Sequence, residues 1–140
     1  MAEGDAIVHN NFKHQLMLKT IDLVNDVFKI ALHSVAIASP DGASTAWVST
    51  NQISGSGYTT GGATVAVPVV TQDDANDWAK WDDSGANITW SSLAANTILE
   101  AQLYDTTVSS YLLIMWEIAT NSNGGDYTLT FGANGIMTLA

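Results

Sequence analysis

Cysteine and arginine are absent from this chain, proline occurs twice, and four lysines stand against fourteen acids for a net charge of -10. Without cysteine there are no disulfides and no thiolate metal ligands. Nucleic-acid affinity comes from neutralised phosphates, and arginine is the usual reader of guanine, so this composition excludes a DNA-binding role. Anionic membrane surfaces are disfavoured on the same ground. No long apolar run exists either: the longest, Tyr111 to Trp116, falls far short of a membrane span. The opening residues Met1 to Val8 carry two acids and lack the basic and apolar regions of a signal peptide, so export by that route is not expected. Charged residues make up only 13% of the chain, which leaves a weakly repelling surface suited to packing against other protein.

What is present is a series of short apolar stretches bounded by Gly, Asn, Asp and Ser. Residues 1–10 read as a flexible arm. Asn11 to Lys19 is the one helical stretch, with Asn11 as its cap and Phe12 and Leu16 spaced to share a face. Val27 to His33 alternates, placing Phe28, Ile30 and Leu32 on one side and Lys29 and His33 on the other, as in a half-buried strand. Ser39-Pro-Asp-Gly-Ala43 supplies a turn. Further strands are expected in 63–70, 86–90, 97–104, 111–118, 126–131 and 135–139. The 111–118 run is apolar on both faces and belongs in the middle of a sheet. Pro68 lacks an N–H, so its strand should be an edge or carry a bulge. Many short strands with one helix predict a mainly β fold, an antiparallel β-sandwich of jelly-roll-like type with one short N-terminal helix, as one domain over 11–140 behind the arm.

The stretch Gly55-Ser-Gly-Tyr-Thr-Thr-Gly-Gly62 invites a phosphate-loop reading, and its spacing rejects it. A Walker loop ends in Gly-Lys-Ser/Thr, and here the next basic residue is Lys80. A dinucleotide loop opens a helix, whereas Thr64 to Val67 is strand-like. The glycines therefore read as turn formers. Five aspartates between residues 73 and 83 could offer oxygens to calcium, but they lack the EF-hand spacing and its bidentate glutamate, so a solvated loop and strand edge is expected and no metal is assigned. The three histidines are scattered, no nucleophile elbow is present, and neither catalytic residues nor a cofactor are expected. Of the five tryptophans, Trp90 and Trp116 read as core, while Trp78 and Trp81, set among acids, read as exposed interface residues.

Several pieces occur in a fixed order: Asp26-Val-Phe-Lys-Ile-Ala-Leu32, Asn51-Gln-Ile-Ser-Gly-Ser-Gly-Tyr-Thr-Thr-Gly-Gly-Ala-Thr-Val65, Ile88-Thr-Trp90-Ser91, Ala101-Gln-Leu-Tyr-Asp105 and, after an apolar strand, Thr128-Leu-Thr-Phe-Gly-Ala-Asn-Gly-Ile136. This order resembles that of a group of small virion proteins of tailed bacteriophages, over nearly the whole chain after residue 10. Gln52 departs from the pattern, which has an acid there, and the acidic run near 73–83 is an insertion. The resemblance implies a non-enzymatic capsid cement or decoration protein on the outer surface of the phage head, made in the host cytoplasm. Its implied partners are the major capsid protein and further copies of itself, as a dimer or trimer. The alternative is a tail or head-fibre component that binds carbohydrate or a receptor. On this reading the contacts come from Ile7 and Val8 of the arm, Tyr58 of the glycine loop, and Trp78 and Trp81.

Overall fold

In the computed structural model, residues 6–36, 46–66, 68–84 and 87–139 are described. The turn expected at 39–43 lies outside them. The chain is mainly β, with antiparallel sheets and one helix, as expected. Strand β1 (Ala6–Val8) leads into helix α1 (Asn10–Met17), then β2 (Phe28–His33), β3 (Ala63–Thr64), β4 (Val69–Asp73) and β5 (Trp78–Asp82). There follow β6 (Ile88–Trp90), β7 (Thr97–Asp105), β8 (Leu112–Asn121), β9 (Tyr127–Leu129) and β10 (Met137–Leu139). They form a five-stranded sheet in the order β1-β8-β7-β2-β3, a three-stranded sheet β10-β5-β4 and a two-stranded ribbon β6-β9.

The largest sheet follows the sequence pattern closely. Phe28, Ile30 and Leu32 alternate on the inner side of β2, next to Leu103 and Ala101 of β7 in register, and all are buried. The 111–118 run falls in β8, which lies between β1 and β7 in the sheet, and its consecutive residues Leu112 to Met115 are all buried, so both faces of the strand are covered there. The expected strand 63–70 is split around Pro68 into β3 and β4, and each is the edge of its own sheet. That is where a residue without an N–H is tolerated.

Three expectations are corrected. The residues expected as an arm are structured from Ala6 onward: β1 pairs antiparallel with β8, placing Ile7 opposite Met115 and Val8 opposite Ile114. Backbone pairing outweighs the small, polar composition that suggested an arm. The helix cap lies two residues earlier than expected: it is His9 rather than Asn11, with extended backbone and no side-chain cap bond. Phe12 is nonetheless fully buried and Leu16 packs on the same cluster, so the helical face was read correctly. Finally, β2 is covered on both sides. Ala31 and His33 are buried too, because Trp47 lies over that face, stacked on Tyr104 at 3.9 Å and donating its indole N–H to His33 Nε2 at 3.4 Å.

The two larger sheets meet through Trp81. It belongs to β5, yet its ring stands edge-on to Phe28 of β2, with centroids 5.0 Å apart, and tilted to Phe12 of α1 at 6.3 Å. Its indole N–H donates to the Leu23 carbonyl at 3.0 Å, so a polar atom is not left bare in the core. Trp81 is 2% exposed, which corrects its placement among surface contacts. Neighbouring aspartates said nothing about where its face of β5 pointed. Replacing Trp81 by Ala is expected to lower unfolding stability by about 3–5 kcal/mol, a large part of a domain's total. Trp81→Phe should lose less, because it keeps most of the ring contact and gives up the bond to Leu23. Urea denaturation of the three proteins checks this ranking.

Candidate interaction surfaces

The glycine stretch is an excursion from an edge strand. Gln52 bridges to His33, and Ala63 and Thr64 pair with Ile30 and Lys29, all antiparallel and all on the same edge of β2. Residues 52 and 63–64 thus behave as one strand, interrupted by 53–62. The interruption would leave the Leu32 N–H without a ladder carbonyl. Tyr58 fills that place: its hydroxyl accepts from Leu32 N at 3.1 Å and donates to Gln52 Oε1 at 2.8 Å. Gln52 Oε1 also accepts from Gly61 N at 2.7 Å, and its Nε2 donates to the Ser49 carbonyl at 2.8 Å. Tyr104 closes the network by donating to the Gly61 carbonyl at 2.7 Å.

The glycines are required by close approach. A Cβ on Gly62, which has φ +79°, would overlap the Ile30 carbonyl of β2. One on Gly57 would come within 2.5 Å of the Ser91 carbonyl, since the far side of the loop packs on the segment before β7. There Ala94 N donates to the Ser56 carbonyl and Asn96 Nδ2 to the Ser54 carbonyl. Burial pushes the Tyr58 phenol up to about 12, consistent with a hydroxyl committed to the fold. Tyr58, expected to anchor the loop either to the fold itself or to a neighbouring subunit, does the first here, as a half-buried rung of this sheet.

The acidic run is a hairpin. β4 and β5 pair from Val69–Asp82 to Asp73–Trp78, and the turn between them is tied by Asp73, whose carboxylate accepts from Ala75 N, Asn76 N and Asn76 Nδ2. Those bonds hold the Asp73 carboxyl below its usual range, with the Asn76 side chain the largest cause. Lys80 forms an ion pair with Asp82 at 2.9 Å. Trp78 is half-buried at the end of the hairpin, beside Asp73, Asp74 and Asp77. Among the described residues no group of three His, Asp or Glu side chains is placed to hold a metal ion. Nor do any two tryptophan rings stack on one another there; Trp90 packs on Tyr127 and Trp116 on Phe131.

The titratable groups inside the fold are dispersed. His33 stands opposite Glu100 in the register of β2 and β7, but its Nε2 accepts from Trp47, and burial lowers its pKa. Glu100 accepts from Gln102 Nε2 at 2.8 Å. Asp105, fully buried at the end of β7, uses one oxygen to accept from Thr107 N and Val108 N, and its other oxygen has no donor. Burial is the largest cause raising its pKa, opposed by those two backbone N–H groups, and the neighbouring Asp26 carboxyl adds to the rise.

No protein-family model matches the chain, and comparison with curated proteins and with solved structures finds no match.

Two outcomes are expected. Gln52→Leu should destabilise the fold by about 1–3 kcal/mol for each donor it strands, the Tyr58 hydroxyl and the Gly61 N–H. Gln52→Glu, which keeps the acceptor and loses only the donor to Ser49, should cost clearly less; thermal melting of both variants measures the difference. For Asp105 the native pKa lies above the unfolded value of 3.8, so the native state binds more protons between the two and stability falls as pH rises through that window. Asp105→Asn keeps the oxygen that accepts from Thr107 and Val108. It should remove that fall and raise stability at pH 7 relative to the parent, measured by urea unfolding across pH 3.5 to 8.

Proposed function

We propose that this chain is a non-enzymatic virion protein of the cement or decoration type, binding the outer surface of a tailed-phage head and bridging major capsid subunits. The ordered set of motifs carries the reading, above all the span Asn51 to Gly62. Gln52, Tyr58, Gly61 and Gly62 are all used to brace an edge strand, so the motif has a structural reason to exist without any catalysis. A net charge of -10 suits an outer location, away from packaged DNA. Among the exposed apolar side chains, Met17 and Leu139 line one groove, and grouped apolar surface of that kind is what an adhesive contact uses.

In purified virions the protein should be present in hundreds of copies, at an unchanged ratio to coat protein in heads stripped of tails. Quantitative mass spectrometry of whole particles and tailless heads measures this. A handful of copies lost together with the tails would overturn the assignment in favour of a tail component.

A further inference from the structure

The side of the fold closed by α1 carries a feature that bracing of the edge strand does not use. Between the helix and β10 runs a groove of about 440 Å³, walled by Val8, Phe12, Leu16, Met17, Met137 and Leu139. Its wall is apolar, yet Met17 is 78% exposed and Leu139 55% exposed. Lys13 and Thr138 stand at its rim. Leu139 also lines the adjoining depression over the hairpin, of about 630 Å³, where Val70, Ala79 and Trp78 lie beside Asp73, Asp74 and Asp77. The surface therefore changes from apolar to acidic across one shared leucine. Among the described residues β10 is the edge of its sheet, paired only with β5, and β1, whose Val8 lines the groove, is the edge of the five-stranded sheet.

We propose that this groove and its acidic shelf bind one extended segment of a partner protein, with apolar side chains for the groove followed by lysine or arginine for the shelf. The charges decide the partner's chemistry. Three aspartates line the shelf, and Lys80, the cation nearest them on β5, is already paired with Asp82. A basic side chain placed there meets carboxylates and the face of Trp78, which attracts cations through its ring quadrupole. An extended segment also suits two open strand edges, which offer backbone groups for pairing. A second copy of this chain is the poorer occupant, because it brings another net charge of -10 to an acidic surface. The binding chemistry is independent of the virion reading and would supply its contact surface if the partner is a coat subunit.

The test uses the full chain and a fluorescein-labelled peptide with leucine at three alternate positions followed by two arginines, against a control peptide ending in two glutamates. Fluorescence anisotropy at low salt should give saturable binding of the arginine peptide, at least about tenfold tighter than the control, weakening as salt rises. The double variant Asp74→Lys/Asp77→Lys should reduce that preference by about tenfold or more and flatten the salt dependence. Met17→Asp, at an exposed position, should weaken both peptides while melting close to the parent. Equal binding of the two peptides, no saturable binding, or binding untouched by these variants would each overturn the proposal. So would sedimentation of the parent as a dimer that Met17→Asp dissociates, which would assign the groove to a second copy. Copy number in particles is a separate measurement, so failure of peptide binding leaves the virion assignment standing, and the reverse holds too.

Discussion

The placement of Trp81 between Phe12 and Phe28 is the contact on which the rest of the fold depends. One ring touches the helix and the largest sheet while belonging to the smaller one. Its indole N–H fixes the connection after the helix through Leu23, and its own carbonyl accepts from Ile136 N at 2.8 Å, which brings the chain's last strand alongside β5. Gly135 lies so close that a Cβ there would meet the same carbonyl at 2.7 Å. A large aromatic with a single donor suits this position because it fills volume in three directions and has only one polar atom to satisfy. The groove beside α1 follows from the same arrangement. The helix is held at Phe12, so its second turn stands over β10 with Leu16 and Met17 only partly covered.

Around that centre, the fold handles interruptions of regular pairing by lending side chains to the backbone. Tyr58 supplies the oxygen that Leu32 N lacks across residues 53–62. Asp105 does the same for the turn before β8, and Asp73 for the turn of the acidic hairpin. The three differ in consequence. Asp73 is at the surface, where charge is solvated. Tyr58 carries no charge at neutral pH. Asp105 is buried with one bare oxygen, which is why, of the three, it is the one expected to make stability fall as pH rises from the acidic side, whereas the raised Tyr58 phenol acts in the same direction only above about pH 10.

The long strands were legible in the sequence because their apolar pattern survives on both sides of a central position. β2, β7 and β8 lie close to where alternation and turn residues put them. β1 was not legible: three residues are too few to show a period, and its strand state comes from pairing with Ile114 to Trp116. The hairpin of β4 and β5 was obscured by aspartates, although Ala79 and Trp81 against Lys80 and Asp82 do alternate. Weight given to charge over period hid Trp81, since charge reports the outward face of a strand and says nothing about its inward one. Of the expected contact residues, Val8 and Trp78 alone lie along one surface, joined through Leu139. Trp81 is core, Tyr58 is wired into the glycine loop, Val8 lines the helix groove and Trp78 the shelf beyond it. The groove itself draws on β1, α1 and β10, elements from opposite ends of the chain, and no local pattern can announce such a meeting.

The broken strand along β2 also makes the five-stranded sheet lopsided. On that border the next chain would meet two residues of strand, then a knot of glycines and bulky hydroxyl-bearing rings, then a lone bridge at Gln52. Such a border is a poor template for adding strands. On the opposite border, β1 is the outermost strand, with no partner on its outer side among the described residues. The sheet is therefore terminated in one direction and open in the other, so that any growth by strand addition has a polarity built into the chain.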